Sequence, residues 1–327
     1  MRRLFGRRAP TVSVVMKAYN HERFVAQAIR SALDQSMTDF EIVITDDGST
    51  DATAHVIESF EDPRIRFERS AQNRGIAATM DATVRRARGE FLAVLNSDDF
   101  ALPERFTRQV DYLRAHPNVA AVFSLPLEVD EDGQPDEPAV SMFTIAPSRG
   151  SEPTRAEWLH YFFFNNNCLC APSVMVRRSA FMQLTPDDRR LPLLGDYDRW
   201  IRLLQNHDIH VMRDRLTAFR RHGAAGNASA PSAENLRRHT FESLQIIKQY
   251  LRFPTALLRE IFDAEIEQHD IHTDRPAALW LAEIALLGRQ IWHPMFALQT
   301  LFDAAVEPHD IRRLFELAGA IDPFNMV

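Results

Sequence analysis

Three acidic clusters constrain this chain more than any other feature: Asp46-Asp47-Gly48-Ser49, Asn96-Ser97-Asp98-Asp99 and Gly195-Asp196-Tyr197-Asp198. The first two each close a short apolar run, residues 40–45 (FEIVIT) and 91–95 (FLAVL). Such runs read as strands buried on both faces, as in a parallel sheet. Ligands of open α/β sheets bind outside the carboxyl ends of the strands. Carboxylates gathered there are poorly solvated unless something binds them. One site is therefore expected, suited to a divalent cation and a phosphorylated ligand.

The rest of the first 220 residues alternates in the same way. Residues 11–19 (TVSVVMKAY) read as a first strand, with Asn20 as the cap of a helix that puts Phe24, Ala28, Ile29, Ala32 and Leu33 on one face. After residues 40–45, a helix is expected from Thr50 or Asp51 to about Phe60. A strand over 65–69, a turn at Asn73-Arg74-Gly75 and a helix over 76–88 lead to the run at 91–95. This pattern predicts a doubly wound, mainly parallel sheet flanked by helices. Beyond Pro103 a helix to about Ala115 and a strand over 119–125 are expected. Residues 130–155 read as a loop or hairpin tip, and the aromatic stretch 158–164 is expected on the substrate side. A strand over 173–176, a helix over 194–206 and a strand over 210–219 complete the domain.

Four regions follow: a basic tail over 1–10, an α/β domain over 11–223, a small-residue linker over 224–235 and a helical region over 236–327. The helical region carries an internal echo. Residues 258–271 and 298–311 share eight of fourteen positions at a spacing of 40, and Pro254 aligns with Pro294. That period suits a duplicated helical hairpin, whose expected use is packing or homo-oligomerisation.

The net charge of −7 argues against a nucleic-acid partner. Arg2, Arg3, Arg7 and Arg8 form a soluble tail with some attraction for anionic lipid. Cys168 and Cys170 are one residue apart, too close for an unstrained disulfide, and read as reduced thiols of a cytoplasmic protein. No apolar run reaches the roughly 18 residues of a membrane span. The expected location is the cytoplasm, with peripheral association at the inner membrane face.

Within the acidic clusters the residue types suggest roles. Of Asp46 and Asp47, one can cap the following helix while the other accepts from a bound base or sugar. Asp98 and Asp99 are hard oxygen ligands of the kind Mg²⁺ takes together with substrate phosphates. Asp196 opens a helix whose apolar face includes Trp200, which would hold it at a pocket edge as a general base. Arg220, Arg221 and His222 follow the last strand, where they could approach a diphosphate or a metal.

These pieces occur in an order that resembles the family 2 glycosyltransferases of GT-A fold: residues 13–20 (SVVMKAYN), Asp46-Asp-Gly-Ser49, Asn73-Arg-Gly75, Asn96-Ser-Asp-Asp99 and residues 195–202 (GDYDRWIR). The resemblance covers residues 11–223. It implies an inverting transferase that moves a sugar from a nucleotide-diphosphate donor, with uridine the base by family resemblance, to a hydroxyl of a glycan or lipid-linked acceptor in surface polysaccharide synthesis. By position, Tyr19, Asp46 and Asp47 resemble the base-contacting residues. Arg74 and Asp81 resemble contacts to base, ribose or phosphate, and Asp98 is shared with the nucleotide. Asp98, Asp99 and His222 resemble ligands of Mn²⁺ or Mg²⁺. Asp196 resembles the catalytic base, and Asn166, Asn167 and Trp200 the sugar and acceptor region. Three positions depart from the family pattern: Asn96 and Gly195 stand where acids are usual, and Asp81 where Asn is frequent. The departures at 96 and 195 leave a non-catalytic nucleotide-sugar binding module as the alternative reading.

Overall fold

The computed structural model describes residues 8–136, 141, 143, 152–222 and 232–304. In chain order its elements are β1 (Val12–Ala18), α1 (Val25–Leu33), β2 (Phe40–Asp46), α2 (Thr53–Glu58), β3 (Ile65–Arg69), α3 (Ile76–Arg86), β4 (Phe91–Val94), β5 (Phe100–Ala101), α4 (Arg105–Ala115), β6 (Val119–Val129), α5 (Arg155–Phe164), β7 (Met175–Arg177), α6 (Arg178–Phe181), α7 (Gly195–Leu204), β8 (Asp208–Arg220), α8 (Ala233–Ile247), α9 (Thr255–Ile261), α10 (Asp263–Gln268), α11 (Ala277–Ala285) and α12 (Trp292–Ala304). They divide into two compact units, Met1–Ile145 with Cys168–Ala228, and Ala146–Asn167 with Ser229–Val327.

The first unit holds an eight-stranded sheet of order β3-β2-β1-β4-β7-β6-β8-β5. β1 runs parallel to both β2 and β4, in the registers Val15↔Val43 and Val15↔Val94. Every residue of β2 and β4 is buried, as apolar strands covered on both faces require. β7 pairs antiparallel with β4, and β6 runs parallel to β8. The sheet is thus mostly parallel. From β1 the order runs through β2 to β3 on one side and starts with β4 on the other, so the β1/β4 edge is a topological switch point. The core on one face joins Val14, Met16, Ile42 and Ile44 to Ala28 and Ile29 of α1 and Phe106 and Val110 of α4.

Arg105 is fully buried beneath the sheet ends. Its Nη2 donates to the carbonyls of Val94 (2.8 Å) and Val174 (3.1 Å), and its Nε to Gln109. It ties β4 to the segment before β7. Truncation takes that donor from the buried Val94 carbonyl, at about 1–3 kcal/mol, and leaves the Val174 carbonyl with the Val94 N–H. Arg105→Ala is therefore expected to lose about 1–3 kcal/mol of stability; a urea melt with an unchanged midpoint would refute this role.

Two local expectations are corrected. Asn20 does not cap α1. It sits at φ 53°, and its Oδ1 accepts from the N–H of Thr50 at 2.9 Å, bracing the loop after β2. The aromatic stretch 158–164 is part of helix α5, opened by a capping box between Thr154 and Glu157. Trp158, Leu159, Phe162 and Phe163 are buried there. α5 belongs to the second unit, where Phe163 packs edge-on to Tyr250 and Phe262 and the Tyr250 hydroxyl donates to the Leu159 carbonyl at 2.7 Å. The stretch is a core helix, and its aromatic content serves packing. The segment after β6 closes in a turn at Asp130–Gly133, whose Asp130 carboxylate accepts from the N–H groups of Asp132 and Gln134.

In the helical region the first copy of the echo forms α9 and α10, with Pro254 immediately before α9. Pro294 lies inside the first turn of α12. The second copy beyond Ala304, residues 224–231 of the linker and residues 1–7 of the basic tail lie outside the described residues. Among the described residues no helix is long and apolar enough to cross a membrane.

Candidate active site

The carboxyl ends of β1, β2 and β4, the end of β8 and the first turn of α7 supply the candidate residues. Asp46, the last residue of β2, is fully buried. Its carboxylate accepts from the Ser49 N–H at 3.1 Å and from the Ser49 hydroxyl, and Arg69 lies 3.5 Å away. Asp46 therefore holds the loop. Asp47 accepts from the backbone N–H groups of Arg74 (2.9 Å) and Gly75 (3.0 Å) and so ties that loop to the start of α3. A carboxylate has about four acceptor positions, so these two bonds leave Asp47 capacity for a ligand. Between them Gly48 sits at φ +73°, and a Cβ there would lie 2.7 Å from the Gln72 backbone. Only glycine fits that approach. Tyr19, just past β1, is 42% exposed, and Arg74 is exposed as well.

Asp81 lies on α3, paired with Arg85 at 3.1 Å. Both line a cleft of about 210 Å³ with Met80, Phe181 and Asp187. Asp81 is thus turned to this cleft.

The two acids after β4 face different ways. Asp98 is half-buried, with His222 Nε2 at 3.0 Å and His21 Nε2 at 3.9 Å from its Oδ2. His21 also bonds Ser97 Oγ at 2.7 Å. Burial works against the Asp98 charge, but the His222 hydrogen bond and the nearby His21 outweigh it and hold this carboxyl below its usual range. Burial lowers the His21 pKa, and the Asp98 charge works against that fall. Asp99 is buried and turned inward: its Oδ1 accepts from the Arg220 N–H (2.8 Å) and its Oδ2 from Asn96 Nδ2 (2.9 Å). Burial and the neighbouring Asp98 charge push it up to about 8.

Arg220 is a fixed strut. Its guanidinium donates to the carbonyls of Asp98, Asp130 and Glu131 and to Gln27 Oε1, over the Phe24 ring at 4.8 Å. Arg221 pairs outward with Asp136 at 3.3 Å. Of this triplet only His222 turns toward the acids.

Asp196 stands in the first turn of α7, half-buried. Its Oδ1 accepts from the Tyr197 N–H at 2.8 Å. Burial raises its pKa, and the charges of Arg199 and Lys17 work against that rise. The helix is anchored from behind: Arg199 and Arg202 both pair with Asp187, and Arg202 with Asp198 at 2.8 Å. Trp200 is 1% exposed and packs edge-on to Phe123 at 4.9 Å. The expectation that it lines the sugar site is corrected: the indole is core that supports α7 from beneath. Gly195 has no neighbour within 4 Å of an added Cβ. Asn166 and Asn167 lie in the second unit, where the Asn166 amide meets His239 Nε2.

Among the described residues no group of three or more His, Cys, Asp or Glu side chains is placed to hold a metal ion. Asp98 and His222 are adjacent, one a carboxylate and the other an imidazole, and both suit Mn²⁺. A hard cation held by few side chains draws its other ligands from phosphates and water. The donor chemistry fits a shared protein–substrate site at Asp98 and His222, with Asp99 supporting it through Arg220.

Sequence reasoning passed over Lys17 and His21. Lys17 Nζ donates to Asn96 Oδ1 at 3.1 Å, so Asn96 bridges Lys17 to Asp99. The available signal was a single charge inside an otherwise apolar strand.

A family model described as "Glycosyl transferase family 2" matches residues 13–185. The chondroitin synthase of Escherichia coli is 36% identical over 129 residues, which is 39% of this chain and 19% of that protein. The crystal structure of Staphylococcus aureus TarS 1–349 in complex with UDP aligns with a TM-score of 0.60 at 17% identity, covering 89% of this chain and 87% of that one. The mannosyltransferase PcManGT from Pyrobaculum calidifontis, in complex with GDP-Man and Mn²⁺, aligns at 0.53 and 16% identity, covering 95% and 80%. At these identities the structural likenesses bear on the fold.

Proposed function

We propose a reaction for this chain from the premise that it belongs to glycosyl transferase family 2 and is a glycosyltransferase: it moves a sugar, with inversion, from a nucleotide-diphosphate donor to a hydroxyl of a glycan or lipid-linked acceptor. The observation that carries the reading is the convergence at the β1/β4 switch point. Asp98 with His222, and Asp196 with the cations Lys17 and Arg199 acting on it, come from four separate elements of one unit.

Tyr19 offers an exposed ring for the base beside Asp47, which the backbone of 74–75 holds in place. Arg74 reaches the ribose or phosphates from the start of α3. Asp98 and His222 would hold the divalent cation. When bound it supplies Lewis-acid stabilisation of the departing diphosphate. Asp196 accepts the acceptor hydroxyl proton as that oxygen attacks the anomeric carbon from the face opposite the leaving group. A single displacement inverts the centre, so an α-linked donor gives a β-linked product. UDP is the proposed carrier, supported by the UDP complex of TarS; the GDP-Man complex of PcManGT makes guanosine the competing base. Polysaccharide synthesis is the proposed setting, supported by the likeness to a chondroitin synthase, and the inner membrane face is its proposed place.

The test is nucleotide release from a panel of UDP- and GDP-sugars, with Mn²⁺, Mg²⁺ or EDTA, in the presence of mixed glycan acceptors. Release from one donor that requires metal identifies the sugar and supports the site. Equal release in EDTA and in Mn²⁺ would remove the metal from the proposal, and an absence of nucleotide binding altogether would sink the donor assignment.

A further inference from the structure

We infer that the Lys17 ammonium binds the phosphates of the donor, as a fixed positive charge built into the site independently of any metal; this rests on the proposed nucleotide-sugar reaction and adds a residue to it. Lys17 is the next-to-last residue of β1, one residue from its carboxyl end and two before Tyr19. That end borders β4 at the switch point, where ligands of such sheets bind. An ammonium has three donors. Among the described residues Asn96 Oδ1, at 3.1 Å, is the one hydrogen-bond partner of Nζ, which leaves donors for a ligand.

The charge around it points to an anion. Three carboxylates, Asp98, Asp196 and Asp99, act on Lys17 together with Arg199. A diphosphate brought beside the ionised Asp98 meets repulsion unless cations intervene. The guanidinium of Arg199 is already engaged by Asp187, and that of Arg220 by three carbonyls and Gln27. Of these three cations Lys17 is the one with donors to spare. Burial also strips its hydration and favours exchange of water for an anionic ligand; the same burial lowers its pKa, against the pull of Asp98.

Composition adds an independent line. Of the 38 lysines and arginines in the chain, two are lysine, Lys17 and Lys248. A chain that uses arginine at 36 of these positions, 38 less the two lysines, keeps an ammonium at the switch point. A compact point charge fits a narrow crevice where a planar fork does not.

The experiment is calorimetric binding of UDP and of uridine to the full chain and to Lys17→Met, in Mn²⁺ and in EDTA, with GDP and guanosine if the donor panel selects GDP. The expected result is a 10- to 100-fold loss of diphosphate affinity in both buffers, with nucleoside affinity unchanged. Equal UDP affinity in Lys17→Met overturns the inference, and an equal loss for UDP and uridine makes Lys17 a structural residue and overturns it too. A wild-type chain that binds neither nucleotide defeats the proposed reaction, and the inference with it, so the two failures are distinguishable. If Lys17→Met does not fold, the wild type still decides: selective ¹⁵N labelling of the two lysine side chains gives two resonances, assigned with Lys248→Arg. The Lys17 signal should move with UDP and stay still with uridine; no movement with bound UDP overturns the inference.

Discussion

Asp196→Asn should fold, bind nucleotide with the wild-type affinity and lose transfer by about 10²–10⁴-fold, the usual contribution of a positioned general base. The amide keeps the shape and the acceptor for the Tyr197 N–H but has no basic oxygen. The pH dependence follows from the same residue. Burial raises the Asp196 pKa above its ordinary value of 3.8, against Arg199 and Lys17. The base works only when ionised, so wild-type activity should fall on the acid side at a pH above that of an ordinary aspartate. The stability sign runs the other way. A carboxyl whose folded pKa is raised contributes stability below its unfolded pKa, and this is lost as pH rises through the folded value. At neutral pH the ionised Asp196 is therefore a cost to the fold. Asp196→Asn should melt no lower than wild type at pH 7 and somewhat higher. A variant that melts earlier, or one that turns over at the wild-type rate, contradicts the assignment. The pattern is that of an active-site group kept at some expense of stability.

The sequence made the site legible to the level of clusters, and the structure separates members that the sequence could not. Short apolar runs ending in acids located the strand ends, because parallel strands need no polar face and their turns need Gly, Ser and Asp. Adjacent residues on a turn point in different directions, however. Thus Asp46 is the loop brace while Asp47 is tied to the α3 loop, and Asp98 faces His222 while Asp99 faces the Arg220 backbone. Trp200 and the aromatics of α5 fall into a common ambiguity: a large ring reads alike in a sugar site and in a core, and burial decides. Lys17 escaped because its significance lies in Asn96, 79 residues away, and no local pattern encodes that contact. The departure at Asn96 is also resolved by contact. Its amide joins an ammonium on one side to the buried Asp99 on the other, a task that needs an acceptor and a donor together and that an ionised aspartate could not perform.

Asp98→Ala and Asp99→Ala are expected to fail in different ways. Asp98 offers its Oδ2 to His222 on the outer side of the cluster and is held ionised there. Removing it takes away the anionic half of the proposed cation site while Arg220 still holds the Asp98 backbone carbonyl. Asp98→Ala should therefore keep the wild-type melting temperature within a few degrees but lose Mn²⁺-dependent UDP affinity by at least about 100-fold, some 2.8 kcal/mol at 1.4 kcal/mol per decade. Its residual affinity in EDTA should match the wild type in EDTA. Asp99 accepts from a buried backbone N–H and from the Asn96 amide, so Asp99→Ala leaves two buried donors unpaired, at about 1–3 kcal/mol each. That variant should melt markedly earlier. In it Asn96 loses one anchor and Arg220 another, so donor affinity falls in both buffers, with no special sensitivity to metal. The paired measurement is a thermal melt beside a Mn²⁺ titration of UDP binding. If instead the two variants lose metal-dependent binding alike and melt alike, the acids act as a joint ligand pair, and the division of labour between an outward ligand and an inward support is wrong.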